Sequence, residues 1–128
     1  MKLLLDTHVL LWFHAADPRL SPKVSSVIQA KENESWFSIV SLWEIAIKYR
    51  LGKLKLADEL EQTFKAMEGS NLNQLLLVND HVLGVATLPL HHRDPFDRML
   101  IAQAKHEGMH LLTADPHFAA YDVPVIHS

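Results

Sequence analysis

The sequence predicts a three-layer α/β/α sandwich with a central, mainly parallel sheet of four or five strands, in a single domain spanning residues 1–128. Three observations predict it. Short apolar runs alternate with helix-period segments along almost the whole chain, the pattern of strands joined by right-handed helical crossovers. No fixed-period repeat or low-complexity stretch interrupts that alternation. A chain of 128 residues with 48% apolar content can fill one core, and with no cysteine it must do so without disulfides.

Each element has a local reason. Residues 3–5 are leucines and read as a buried strand that stops at Asp6. A helix fits 7–14, and Ser21 before Pro22 supplies an N-cap with proline at the first helical position, opening a second helix to about residue 31. Residues 36–40, aromatic and β-branched, make the second strand, and Ser41 opens a helix that Gly52 ends. A further helix covers 57–67. Residues 75–78 read as the third strand, with Asn79 capping a helix through Ala86 that stops before Pro89. Asp94 and Pro95 open the helix carrying Met99, Leu100, Ala102 and Ala104, with Gly108 past its end. Residues 110–112 form the fourth strand, and a helical turn over 116–120 leads to a last strand at 123–126, where Pro124 points to an edge position.

Composition removes several classes of function. Twelve basic against 15 acidic residues give a net charge of −3 with histidine neutral, which excludes a broad basic coat for nucleic acid. The absence of cysteine removes thiolate nucleophiles and cysteine-based zinc or iron–sulfur sites. The four glycines stand apart at 52, 69, 84 and 108, so no phosphate-cradling P-loop exists. Asp6 interrupts the N-terminal leucines, and the apolar run at 9–13 is far shorter than the ~20 residues a bilayer requires. The expectation is a cytoplasmic protein with no membrane association.

In parallel sheets, ligand-binding groups gather beyond the carboxyl ends of the strands. Four acids fall at such places: Asp6 after the first strand, Glu44 one turn into the helix after the second, Asp97 in the first turn of its helix, and Asp115 after the fourth strand. Each has an ordinary reading as well. Ser41 to Glu44 fits a capping box, Glu44 can pair with Lys48 at i,i+4, Asp97 favours a helix N-terminus, and Asp115 before Pro116 suits a turn. Asp6 is harder to explain that way, because a carboxylate ending a buried strand needs a partner or a cation to offset its desolvation. Carboxylates held together repel, and a hard divalent ion, Mg²⁺ with Mn²⁺ as a substitute, removes the repulsion.

Four segments together carry a resemblance: Leu4-Leu5-Asp6-Thr7-His8, Ser41-Leu42-Trp43-Glu44-Ile45, His92 through Ala104 with Asp94-Pro95-Phe96-Asp97-Arg98 at its centre, and Leu112-Thr113-Ala114-Asp115. In order and spacing they resemble the PIN-domain ribonucleases, above all the VapC-type toxins of bacterial toxin–antitoxin modules. The resemblance implies metal-dependent endonucleolytic cleavage of RNA leaving 5′-phosphate and 3′-hydroxyl ends. It places the metal-binding, catalytic acids at Asp6, Glu44, Asp97 and Asp115, with Thr7 and Thr113 as supporting hydroxyls. Aligning Ala102 and Ala104 with the family's small-residue helix selects Asp97 over Asp94, which then serves as N-cap. His8 stands where many relatives carry a small polar residue. A cognate antitoxin and a homodimer are also implied, with the apolar run at 9–13 as a candidate interface.

RNA needs cations of the protein's own. Lys48, Arg50, Lys53 and Lys55 fall within eight residues that contain no acid, and Arg93 and Arg98 flank Asp97. These are the candidate RNA contacts. Trp12, Trp36 and Trp43 sit among apolar neighbours and read as core or interface side chains rather than base-stacking platforms. His91 and His92 are adjacent and have no third ligand at recognisable spacing, which argues against a transition-metal site. Two other functions are alternatives: a stand-alone PIN ribonuclease of RNA processing, and a Mg²⁺-binding receiver-like signalling module. The receiver reading lacks the paired acids after the first strand and has Asn79 near the position of its phosphorylatable aspartate.

Overall fold

The computed structural model describes residues 1–127. The strands are β1 Lys2–Leu5, β2 Glu34–Ser38, β3 Asn73–Leu75, β4 His110–Thr113 and β5 Val125–His127. The helices are α1 Thr7–His14, α2 Pro22–Gln29, α3 Ile39–Arg50, α4 Leu60–Glu68, α5 Asn79–Ala86 and α6 Pro95–Glu107, with a 3-10 turn at Pro116–Ala120. All strand pairings are parallel, in the order β3-β2-β1-β4-β5. The predicted α/β/α sandwich is the one observed. Among the described residues no helix is long and apolar enough to cross a membrane.

Side chains of a strand alternate between faces, so the leucines of β1 serve two cores. Leu4 and Leu111 join Leu100, Ile101, Ala104 and Phe118 in the core under α5 and α6. Leu5 and Leu112 join Phe37, Val9, Leu10 and Ile45 in the core under α1, α2 and α4. Both faces of the central strands are covered, which is why β1 and β4 read as unbroken apolar runs rather than as alternating ones. α3 serves both layers, with Val40 in the first core and Leu42 and Ile45 in the second. Truncating one of these leucines to alanine would cost about 2–5 kcal/mol.

The winding direction positions the site. From β1 the chain moves outward to β2 and β3, then returns through α5 and α6 to β4 on the other side of β1. Connections leave β1 and β4 in opposite directions, the topological switch point beyond whose carboxyl ends sheets of this kind bind ligands. Asp6, just past β1, faces the end of β4 there: its backbone N–H donates to Leu112 O at 3.0 Å.

Several boundaries differ from the sequence expectation, each for a local reason. β2 ends at Ser38 rather than at residue 40, because the Ser38 hydroxyl accepts the Val40 N–H at 3.0 Å and starts α3 three residues early. Ser41 is therefore buried inside the helix, and the Ser41 to Glu44 capping box does not exist. β3 covers 73–75 instead of 75–78; it pairs only with Trp36 to Ser38 of β2, and Leu76, Leu77 and Val78 leave the sheet exposed. α5 begins at Asn79 with Val78 as its cap residue, since the His81 ring accepts the Val78 N–H at 3.2 Å. α4 begins at Leu60, not at 57, with no side chain capping it, and β5 begins after Pro124. The expected caps at Ser21 and Asp94 are observed, and Gly108 closes α6 at φ 68°, the left-handed conformation glycine adopts without strain.

Candidate functional site

The residues at the carboxyl edge are tied together by short hydroxyl links. Thr113, last in β4, donates to Asp6 Oδ2 and accepts the Asp115 N–H at 2.9 Å, so one side chain connects two of the acids. The other Asp6 oxygen caps α1 by accepting the Val9 N–H at 2.8 Å. Thr7 donates to Glu44 Oε1 at 2.7 Å, and the Ser41 hydroxyl, one helical turn before Glu44, lies 2.9 Å from Thr7 on its other side. The second Glu44 oxygen receives the Lys48 ammonium at 2.5 Å, the i,i+4 pair.

Nearer to solvent stand the other two acids with a histidine between them. Asp94 accepts the N–H groups of Phe96 and Asp97 and fixes the first turn of α6, in which Asp97 lies. His92 Nε2 lies 2.7 Å from Asp97 Oδ2 and 3.9 Å from Asp115 Oδ2. His92, Asp97 and Asp115 each offer a ligand atom, all within 4.8 Å of one another. Asp6 and Glu44 lie deeper, 3% and 2% exposed.

Charge couples the two tiers. Burial pushes the Asp6 carboxyl above the ordinary aspartate range against the pull of its Thr113 and Val9 hydrogen bonds, and the Glu44 charge adds to the rise. Burial, with Asp94 beside it, pushes Asp97 up to about 6 despite its hydrogen bond to His92, and Glu44 contributes there too. Burial alone would lower the Lys48 ammonium, but Glu44, with Asp94 and Asp97 beyond, outweighs it and holds the group above its usual value. At Asp115 desolvation is outweighed by the hydrogen bonds from His117, which hold the carboxyl below the ordinary range. A crowded, poorly hydrated set of carboxylates with no thiolate at hand is the donor chemistry that suits a hard divalent cation.

Of the two hydroxyls the resemblance singled out, Thr7 donates to Glu44 and Thr113 to Asp6. Among the basic candidates, Arg50, Lys53, Lys55 and Arg93 are exposed, and Lys48 is engaged with Glu44. Arg98 is a correction. It is buried, and its guanidinium donates to the main-chain oxygens of Pro89 at 2.8 Å, Val85 at 3.2 Å and Leu88 at 3.3 Å, and to the Tyr121 hydroxyl at 3.3 Å. It ties the C-terminal end of α5 to α6 and is not available to RNA.

Sequence reasoning missed His92 and Ser41. Nothing in the local pattern separates His92 from His91, since its partners are five residues ahead across a helix cap and 23 ahead across a strand. Ser41 resembled a cap because it precedes Glu44 by three residues; only the true cap at Ser38 frees it for Thr7.

The sequence model of the PIN domain matches residues 3–124, nearly the whole described chain. The chain belongs to the PIN-domain family. No functionally curated protein matches it in sequence. Among solved structures, this PIN domain is similar to a chain of VapBC2 from Rickettsia felis bound to a promoter DNA fragment, with TM-score 0.74 and 18% identity over 99% of this chain and 98% of that one. A chain of DNA-bound VapBC from Salmonella typhimurium gives TM-score 0.69 and 17% identity over the same shares, 99% and 98%. A chain of VapBC-5 from Mycobacterium tuberculosis, a toxin–antitoxin system, gives TM-score 0.59 and 22% identity, again over 99% and 98%. At these identities the likeness is one of fold, and it extends over the full length of both partners.

Proposed function

We propose that this PIN domain is a metal-dependent endoribonuclease that serves as the toxin of a toxin–antitoxin pair in the cytoplasm. One observation supports the nuclease reading: Asp97 and Asp115 offer ligand atoms within 4.8 Å of each other, Thr113 links Asp115 to the buried Asp6, and Glu44, held by Thr7, is near enough for its charge to act on both Asp6 and Asp97. These acids would hold Mg²⁺ or Mn²⁺. When bound, such an ion supplies Lewis acidity toward water and toward the phosphate oxygens.

The chain's own residues do the rest. Thr113 and the Val9 N–H orient the Asp6 carboxylate, Thr7 orients Glu44, and Lys48 holds the second Glu44 oxygen, which it would yield to a cation. A carboxylate of the set that is not itself ligated to the ion would take the proton of the attacking water. Arg50, Lys53 and Arg93 are exposed cations from which a phosphate backbone can be held.

The toxin reading is supported by the full-length likeness to chains from VapBC assemblies, two of them solved with DNA. The implied partner is a cognate antitoxin. The surface supports protein association. Leu76, Leu77, Val78, Val82, Leu83 and Leu90, in the β3–α5 connection, α5 and the segment beyond it, are each exposed. The apolar run at 9–13, by contrast, buries Val9 and Leu10 within the molecule. A homodimer or an antitoxin would cover that exposed face.

The test is direct. Purified protein with Mg²⁺ or Mn²⁺ should cut RNA, and Asp6→Asn should abolish cleavage while circular dichroism stays unchanged. Mapping cleaved ends in cellular RNA after brief induction, with Asp6→Asn as control, identifies the substrate. Equal cleavage by Asp6→Asn removes the catalytic assignment.

A further inference from the structure

We infer that His92 is a nitrogen ligand of this metal centre, and that the centre is a mixed nitrogen–oxygen site preferring Mn²⁺ to Mg²⁺. The inference rests on the nuclease reading for the presence of a cation; it adds which atoms hold it and which cation is chosen.

The geometry comes first. In an octahedron with bonds of about 2.1 Å, neighbouring ligand atoms stand ~3.0 Å apart and opposite ones ~4.2 Å apart. His92 Nε2 is 2.7 Å from Asp97 Oδ2 and 3.9 Å from Asp115 Oδ2, distances close to that edge and that diameter. The imidazole is placed among the two outer acids as one member of a coordination shell would be.

The ring is also held in place from behind. The His92 backbone N–H donates to the Tyr121 hydroxyl at 2.9 Å, which anchors the main chain of this residue to the end of the 3-10 turn. The ring stacks on His117 with centroids 5.2 Å apart and planes at 13°, and meets Phe118 edge-on at 6.4 Å. His117 in turn bonds Asp115 Oδ1 at 2.8 Å, so the ring behind the proposed ligand also steadies one of the acids. Such supporting contacts are what fix ligand orientation at metal sites.

Tautomer chemistry separates this histidine from His81, which also lies against a carboxylate. A neutral imidazole can ligate through Nε2 only when the remaining proton sits on Nδ1. At His81, which lies with His106 and Glu107 in a second such group, Nδ1 accepts the Val78 N–H at 3.2 Å. That bond keeps the proton on Nε2, where it is donated to Glu107 at 2.7 Å, so His81 cannot ligate without breaking the start of α5. His92 carries no such restraint: among the described residues its Nδ1 has no hydrogen-bond partner, and the ring is one-fifth exposed. The proton can move to Nδ1 and face water while Nε2 turns its lone pair to a cation.

Imidazole nitrogen is a poor ligand for Mg²⁺, which keeps oxygen and water about it, and a good one for Mn²⁺ and the later divalent ions. Replacing one oxygen of an all-carboxylate site by nitrogen shifts the choice of ion accordingly.

The experiment is Mn²⁺ binding to the full chain, read by calorimetry and by pulsed electron paramagnetic resonance for ¹⁴N coupling to the bound ion. The wild type should bind Mn²⁺ with a coupled nitrogen. His92→Asn should lose that coupling and weaken Mn²⁺ binding about tenfold, with Mg²⁺ binding changed less than about threefold. His81→Asn and His117→Asn should keep the coupling. Mn²⁺ that binds in an Asp97-dependent manner without coupled nitrogen, or coupling that survives His92→Asn, overturns this inference and leaves the nuclease reading intact. Absence of Asp97-dependent binding of either ion overturns both.

Discussion

Two imidazole–carboxylate contacts of the same length, 2.7 Å, stand at the two ends of α6. His81 with Glu107 joins α5 to α6 by the end of α6, and His92 with Asp97 stands at the carboxyl edge of the sheet where α6 begins. Each belongs to a trio of potential ligands with an acid and one further group nearby. They differ in what surrounds the second ring nitrogen and in what the acids are doing. His81 is fully buried and both of its nitrogens are engaged; Gln103 Nε2 approaches it at 3.4 Å as well. His92 engages one nitrogen only, and the carboxyl it meets is crowded by Asp94 and Glu44. The first contact completes a local network, while the second leaves a repulsive cluster with donor atoms to spare. Satisfied networks stabilise folds, and unsatisfied ones bind something.

Breaking the acids should separate the two ends most sharply. Asp97→Asn and Asp6→Asn are each expected to lower metal-dependent RNA cleavage by about 10³-fold or more, equivalent to ~4 kcal/mol of transition-state stabilisation. His81→Asn, assayed at a temperature where it is folded, should retain cleavage within about threefold. Equal losses at the two ends would show that the comparison misplaces the site.

Stability should respond in the opposite sense. His81→Ala removes a buried ring and strands the Val78 N–H and one Glu107 contact, which should cost about 2–4 kcal/mol in urea unfolding. His92→Ala touches a ring with solvent on one side and should change metal-free stability by less than ~1 kcal/mol. A larger loss at His92 than at His81 would make the edge histidine the structural one.

How much of this was legible in the sequence follows the same division. The core strands were readable because Leu3, Leu4 and Leu5 are buried on both faces, and so were the caps at Ser21 and Asp94 with their prolines at the first helical position. The deep acids could be named from their places after strands. What could not be read was anything decided by competition between neighbours. Whether Ser38 or Ser41 starts α3 depends on which hydroxyl reaches an orphan N–H, and the two sit in similar strand-to-helix contexts. Arg98 looked like a phosphate contact because it follows Asp97, yet a helix turns successive side chains by ~100°, and that rotation carries it onto the carbonyls ending α5. His92 needed both the helix cap and β4 in place before its partners existed.

A smaller effect concerns pH. The Asp97 carboxyl is raised from 3.8 to about 6 in the fold, so ionising it opposes folding. Below about pH 4 both states are protonated and the group contributes nothing; between 4 and 6 the unfolded chain ionises first, and above 6 the full penalty is present. Asn imitates the protonated form. Asp97→Asn, in the presence of a chelator, should therefore stabilise the protein at pH 7.5 by about 1–2 kcal/mol after allowance for solvent screening, and the gain should fade toward pH 4. A gain independent of pH would mean that packing and not charge distinguishes the variant.

The smallest expected effect concerns the exposed cations of α3 and its end. Arg50 and Lys53 are exposed near the C-terminal end of α3, on the helix that carries Glu44, and are not needed to orient any acid. If they hold the backbone of the RNA without reading its bases, Arg50→Gln with Lys53→Gln should raise KM about threefold to tenfold, leave kcat unchanged, and reduce the salt dependence of binding. A fall in kcat with unchanged KM would instead place these cations in the reaction itself, and would extend the active edge along α3 beyond Lys48. Either outcome bears on the comparison, because it fixes how far beyond the edge that holds His92 the chemistry reaches, whereas buried His81 only holds the fold together.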